Sequence, residues 1–171
     1  KGILGALPKL APLVAFVFLA GAAGSAIRQL FQGRRLERQT SLGSIGDLSW
    51  REFEGLISEV FRRRGFVAIE NLADGADGGV DLRLIKGGKL ALVQCKQWKT
   101  RQVGVKVVRE LYGVMAASGA TKGFVVTYGD FTREAKDFAA GKQIELISGK
   151  RLETLIAEVQ NSGNLAPVSD S

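Results

Sequence analysis

The stretch GGVDLRLIKGGKLALVQCK, residues 78–96, decides the fold. Alternating runs flank Gly87-Gly88, and a glycine pair between two such runs marks a two-residue hairpin loop. Strands are expected over residues 80–85 and 90–96. With that loop, Lys86 faces Lys89, Ile85 faces Leu90 and Asp81 faces Gln94. Facing residues point to the same side of a sheet. One side then carries Val80, Leu82, Leu84, Ala91, Val93 and Cys95, is wholly apolar, and must be buried. The other carries Asp81, Arg83, Ile85, Leu90, Leu92, Gln94 and Lys96, apolar in the middle and polar at one end.

That polar end gathers a carboxylate, an amide and an ammonium. The trio suits phosphodiester hydrolysis. Carboxylate and amide oxygens are hard donors appropriate to Mg²⁺. A lysine beside such a cation can orient or deprotonate the attacking water and counter the charge growing on the phosphate. Strand geometry alone leaves a second interpretation open, in which Asp81 and Lys96 form a surface salt bridge and Gln94 is merely polar. The rest of the composition narrows the chemistry. The chain has no histidine and one cysteine. Histidine-assisted nucleophiles, histidine metal clusters and intramolecular disulfides are therefore excluded, and acid–base work falls to carboxylates, lysine, tyrosine or water activated by a cation.

Outward from the hairpin, the pattern is α/β. Ser49-Trp50-Arg51-Glu52 is a capping box that opens a helix. The helix buries Trp50, Phe53, Leu56, Ile57, Val60 and Phe61 at helical spacing and ends at Arg62-Arg63-Arg64-Gly65. Glu54 lies at the edge of that apolar stripe, where a carboxylate can look into the site. A strand is expected over 66–72 and a turn over 74–79. A helix follows over 103–118 with Val107, Val108, Leu111, Val114 and Met115 on one face. A strand over 122–128, a helix capped by Thr132, a short strand over 143–147 and a helix over 149–160 complete the order. Hairpin strands followed by βα units predict a mixed sheet with helices on both faces.

Taken together these pieces resemble the Mrr-type restriction endonucleases, a branch of the PD-(D/E)XK nuclease superfamily. The resemblance rests on Phe53-Glu54, Gly65-Phe66, Asp77-Gly78-Gly79-Val80-Asp81, Val93-Gln94-Cys95-Lys96-Gln97-Trp98, Glu110-Leu111-Tyr112-Gly113, and Phe131-Thr132 followed by Ala135. It covers residues 48 to about 157. It implies a restriction-endonuclease-like fold in which Asp81 is the central metal ligand, Gln94 a second ligand, Lys96 the catalytic lysine, and Glu54 an assistant to the metal site. Val80 stands where the wider superfamily has proline and Gln94 where it has a second acid. Gln94 is usual in the Mrr branch, and the missing charge weakens metal affinity. The implied cofactor is Mg²⁺, with Mn²⁺ as an alternative. The implied partner is DNA, with paired subunits cutting the two strands. Trp98, Lys99 and Arg101, just past the lysine, are candidates for phosphate and base contacts. A solvated loop is the competing account of them.

The N-terminal part reads differently. Residues 10–27, LAPLVAFVFLAGAAGSAI, carry no charge over about the length that spans a bilayer. Lys9 precedes them, and Arg28, Arg34, Arg35 and Arg38 follow. The positive-inside rule then places the later residues in the cytoplasm, on the inner membrane, held by a single span. A secretory signal peptide and a buried core helix are the competing accounts. The expected organisation is a transmembrane anchor (1–28), a basic linker (29–47), a nuclease domain (48–160) and a disordered tail (161–171). The net charge of +7 is concentrated early, with six Lys/Arg against one acid in the first 41 residues. Charge is thus weak support for nucleic-acid binding by the folded part. The expected function is a membrane-anchored Mg²⁺-dependent endodeoxyribonuclease acting on foreign or modified DNA. A catalytically weak, membrane-attached DNA-binding module and a nuclease for branched DNA or RNA remain the alternatives.

Overall fold

The computed structural model describes residues 45–70, 79–96 and 102–164. Residues 10–27, with the expected membrane span, and Trp98, Lys99 and Arg101 lie outside them. Among the described residues no helix is long and apolar enough to cross a membrane.

Helix α1 (Trp50–Arg63) starts where the capping box predicts. The Glu52 carboxylate accepts from both the Ser49 N–H and the Ser49 hydroxyl at 2.8 Å, occupying a donor that the helix start leaves unpaired. The chain continues through β1 (Val67–Glu70), β2 (Leu82–Lys86), β3 (Lys89–Lys96), β4 (Gln102–Val103), α2 (Val105–Ser118), β5 (Lys122–Thr127), β6 (Asp130–Phe131), α3 (Arg133–Ala139), β7 (Ile144–Ile147) and α4 (Gly149–Asn164). Five strands form one sheet in the order β1-β2-β3-β5-β7, and β4 and β6 form a small two-stranded parallel pair. β1, β2 and β3 pair antiparallel in succession, and β3, β5 and β7 run parallel. This is the mixed sheet that the order of elements predicts.

The hairpin register is also as predicted. Lys86 pairs with Lys89 and Ile85 with Leu90. Gly87 and Gly88 have φ of 57° and 73°, the two positive values that a tight hairpin turn matching the strand twist requires.

Two apolar clusters sandwich the sheet. On one face α1 and α4 cover Leu82, Leu84, Ala91, Val93 and Cys95. There the Phe61 and Phe124 rings meet at 4.7 Å between centroids, tilted by 59°, tying α1 to β5. On the other face α2 and α3 cover Leu92 and Val125 with Val108, Leu111, Met115 and Ala135. Ile45, expected at the end of the linker, is fully buried in the first cluster, so the folded unit takes it in. At the far end α4 continues through Asn164, so residues 161–164 are helical where a tail was expected.

One feature of the hairpin differs from expectation and shapes the site. Val80 was expected on the face of Leu82, but it packs in the opposite cluster with Leu92 and Val103. The cause is a break in alternation at Asp81. Leu82 is the partner of Val93, yet the Asp81 N–H also donates to the Val93 carbonyl at 2.9 Å. Two residues thus oppose one, the arrangement of a β-bulge, which reverses the side-chain alternation beyond it.

Candidate active site

The bulge gives the Asp81 carboxylate its position. Its Oδ2 accepts from the Cys95 N–H at 2.6 Å, so the side chain takes the place of a backbone carbonyl at the end of the β2–β3 ladder. A carboxylate held by a main-chain donor on the strand before Lys96 has little freedom to move. The expectation that plain strand parity groups Asp81 with Gln94 and Lys96 is therefore corrected, because the bulge at Asp81 interrupts that parity.

Helix α1 brings the second acid. Glu54 lies one turn into the helix and its carboxyl is hydrogen-bonded to that of Asp81. Two carboxyl groups in contact cannot both ionise without help. Burial pushes Glu54 up to about 7, the negative charge of Asp81 and the bond between the two groups add to this, and a hydrogen bond from Trp50 opposes it. Asp81 is raised as well, first by burial, while the Cys95 N–H and the nearby Lys96 charge act to keep it ionised. Both carboxyls are therefore raised above the usual carboxylate range, chiefly by burial.

Gln94 sits on β3 with only 2% of its surface exposed. Its Oε1 has no hydrogen-bond partner among the described residues. A buried amide oxygen left bare costs on the order of 1–3 kcal/mol. Its Nε2 lies against Gly79, where an added Cβ would stand 2.5 Å away and where φ is 79°. Gly79 thus serves two needs at once, a left-handed turn into the bulge and room for the Gln94 amide.

Lys96 is the last residue of β3 and pairs in register with Thr127 at the end of β5. It is half-buried, its charge reaches Asp81 through space, and no ion pair between the two occurs among the described residues. The simple salt bridge considered from sequence is therefore absent. Cys95, on the opposite face, is fully buried, and burial pushes its thiol well above the usual range. It is inert core, as expected.

The donor set fits a hard divalent cation. Glu54 and Asp81 offer adjacent carboxyl groups, both raised chiefly by burial, and Gln94 offers an unsatisfied oxygen. Among the described residues no group of three or more His, Cys, Asp or Glu gathers. The sequence did not assign a polar role to Trp50, whose side chain acts to lower the Glu54 carboxyl. The usable signal was the spacing of four residues along one helix.

A family model described as a restriction endonuclease, Mrr_cat, matches residues 45–156. The chain is 31% identical over 126 residues to the Type IV methyl-directed restriction enzyme EcoKMrr of Escherichia coli (strain K12). That alignment covers 68% of this chain but 41% of the enzyme, so the chain spans less than half of that relative's length. Among solved structures, a protein of unknown function, AF1548, superposes with a TM-score of 0.52 at 21% identity, over 68% of this chain and 67% of that one. The DNA modification-dependent restriction endonuclease AspBHI superposes with a TM-score of 0.50 at 15% identity, over 80% of this chain and 39% of that one. At these identities the two structures speak for the fold alone.

Proposed function

The chain belongs to the Mrr restriction endonuclease family and carries a nuclease domain of that type, and from that premise we propose that it is a divalent-cation-dependent endonuclease that hydrolyses DNA phosphodiester bonds at Glu54, Asp81, Gln94 and Lys96. The observation that carries the proposal is the Glu54–Asp81 pair. Its two carboxyls meet at the end of the sheet, with the half-buried Lys96 charge acting on Asp81, and Gln94 on the same strand as that lysine carries a bare amide oxygen.

Asp81, fixed by the Cys95 N–H, supplies the charged ligand. Glu54 and Gln94 would hold the cation with Asp81, Glu54 in its ionised form and Gln94 through its amide oxygen. Mg²⁺, or Mn²⁺ in its place, supplies Lewis-acid polarisation of the phosphoryl group. Lys96 orients the attacking water and offsets the negative charge that grows on the phosphate as the bond to the leaving oxygen lengthens. Water is the nucleophile, and the chain forms no covalent intermediate.

The methyl-directed relative makes modified DNA the substrate class to test first. Trp98, Lys99 and Arg101 are proposed backbone and base contacts, by their place directly after Lys96 in the sequence. Residues 10–27 are proposed to tether the nuclease to the inner membrane with its catalytic part in the cytoplasm. Support for the tether is their uncharged length and the arginines that follow. Two copies are proposed to act together on the two strands.

The test is a substrate panel of supercoiled plasmid with and without methylation, branched duplex and RNA, each with Mg²⁺, Mn²⁺ or EDTA. Nicking or linearisation of plasmid only with a divalent cation supports the proposal. DNA binding without cleavage under every cation condition favours the DNA-binding module instead, and cleavage confined to branched duplex or RNA replaces the substrate.

A further inference from the structure

The sheet ends at β1, and Val67 of that strand pairs in register with Ile85, Ile69 with Arg83. Side chains two apart on a strand share a face, so Val67, Ile69 and Ile85 lie on the side of the sheet where Leu90 and Leu92 join the second apolar cluster. Among the described residues, none of β1 or β2 belongs to that cluster, so the apolar face continues past the helices that cover it. Val67 is 63% exposed, Ile69 49% and Ile85 38%. Adjoining apolar side chains left open in this way, with polar residues around them, mark a contact surface.

Cations gather at the same corner. Lys86 donates from the hairpin tip to the Arg64 carbonyl at 2.7 Å and lies 4.9 Å from the centroid of the Phe66 ring, which joins the tip to the end of α1. Residues 59–70 and 82–90 hold six Lys/Arg against two acids, Glu59 and Glu70, and both acids are engaged by Arg62 or Arg63. The rest of 42–162 holds twelve Lys/Arg against thirteen acids, so the positive excess of that stretch sits at this corner. Aliphatic side chains beside lysine and arginine suit an anionic lipid surface. The aliphatic groups enter the headgroup boundary and the long basic side chains reach the phosphates. A DNA backbone offers phosphates but no place for valine and isoleucine. A second copy on the same edge would set like charges against each other. We infer that the β1–β2 edge and its Gly87-Gly88 tip dock on an anionic membrane surface. The inference goes beyond the tether proposed for residues 10–27, because it uses none of those residues and adds an orientation. Lys89 and Lys96 stand at opposite ends of β3, about 23 Å apart at the usual rise per residue. Docking at the tip therefore points the proposed catalytic end of the sheet away from the lipid.

The experiment uses the full chain reconstituted with vesicles of phosphatidylcholine alone or of an equal mixture with phosphatidylglycerol. A bimane label on Val67→Cys reports the corner, since Cys95 is buried and stays unlabelled. A label on Lys150→Cys, exposed in the first turn of α4, is the control. Lipids with brominated chains should quench the label at position 67 in the anionic vesicles only, and should leave the label at position 150 bright in both. Lys89→Glu, in the chain labelled at position 67, should lower the ratio of docked to undocked label about thirtyfold, the effect of two charges near an anionic surface. Raised salt should weaken quenching in the same direction.

Cosedimentation with the neutral vesicles tests the tether separately. A chain that sediments with them while its label at position 67 goes unquenched in the anionic vesicles keeps the tether and overturns the docking. A chain that leaves the neutral vesicles but is quenched in the anionic ones keeps the docking and loses the tether. Equal quenching in the two kinds of vesicle, or quenching that ignores Lys89→Glu, overturns the docking as well. In detergent without vesicles, shielding of the label from iodide by duplex DNA assigns the corner to DNA. Shielding that grows with protein concentration assigns it to a second copy, and either result overturns the inference.

Discussion

Replacing Gly79 by alanine separates a Gln94 that is merely packed from a Gln94 seated to hold a cation. Two costs follow from the structure. First, φ is 79°, a left-handed value that costs a residue with a Cβ ~1–2 kcal/mol. Second, the new methyl would stand 2.5 Å from Gln94 Nε2 and 3.6 Å from its Cδ. The amide is 2% exposed and cannot swing into water, so it must leave its preferred rotamer at a cost of ~0.5–1.5 kcal/mol. Gly88→Ala is the internal control. There φ is 73°, and nothing lies within 4 Å of the added Cβ, so only the first cost applies. Urea unfolding in EDTA should therefore find Gly79→Ala about 1 kcal/mol less stable than Gly88→Ala. Mg²⁺ titration by calorimetry should find Gly79→Ala weaker by about tenfold, as when a group orienting a ligand is disturbed, and Gly88→Ala unchanged. Wild-type Mg²⁺ affinity in a destabilised Gly79→Ala protein would refute the reasoning, because Gln94 would then have been displaced without consequence for the cation.

Glu54 makes both cation binding and stability depend on pH. Its carboxyl is raised from 4.5 to about 7 in the folded chain. The stability due to its protonated form is therefore complete below pH 4.5 and lost as pH rises through about 7. Without cation, the urea midpoint should fall between pH 5 and pH 8, and Glu54→Gln should flatten that fall. With cation the sign reverses, because the proton competes with Mg²⁺, so calorimetric affinity should rise from pH 6 to pH 8 with release of a proton. Gln94→Glu places a third carboxylate in a buried position and should lower stability in EDTA by on the order of 2 kcal/mol. The same variant should bind Mg²⁺ more tightly than wild type, and a response to Mg²⁺ no larger than wild type in a thermal-shift titration would remove Gln94 from the ligand set. Lys96→Arg should keep Mg²⁺ affinity but cut plasmid nicking on the order of a hundredfold, since guanidinium is bulkier and does not give up its proton. A near wild-type rate would reduce Lys96 to an electrostatic role.

Much of this was legible in the sequence because its signals were local. The Gly87-Gly88 loop set the hairpin register, and the capping box set the start of α1. The periodicity of Val108, Leu111 and Met115 set the inner face of α2. The family blocks named Asp81, Gln94, Lys96 and Glu54, and the structure brings Glu54 against Asp81. What escaped was non-local or too short for a period. The β4–β6 pair is two residues long on each strand, and Val103 was taken instead as the start of the helix. The bulge at Asp81 breaks an alternation that the residues themselves do not show as broken, since Val80 and Leu82 are both apolar and each finds a core, on opposite faces. The burial of Ile45 depends on its joining a cluster built from residues as far along the chain as Val159, which no stretch near Ile45 encodes. The raised carboxyl of Glu54 likewise depends on a contact between a helix and a strand that are 27 residues apart in sequence, Glu54 to Asp81.

The central claim is that the Glu54–Asp81 pair holds a divalent cation that drives cleavage of DNA. The most direct measurement is the rate at which the wild-type chain and Asp81→Ala convert supercoiled plasmid to nicked and linear forms, with Mg²⁺ and with EDTA. The wild type should cleave only with Mg²⁺, and Asp81→Ala, folded to the same extent by circular dichroism, should be slower by at least roughly a hundredfold. Equal rates in the two proteins, or cleavage that proceeds undiminished in EDTA, would contradict the account.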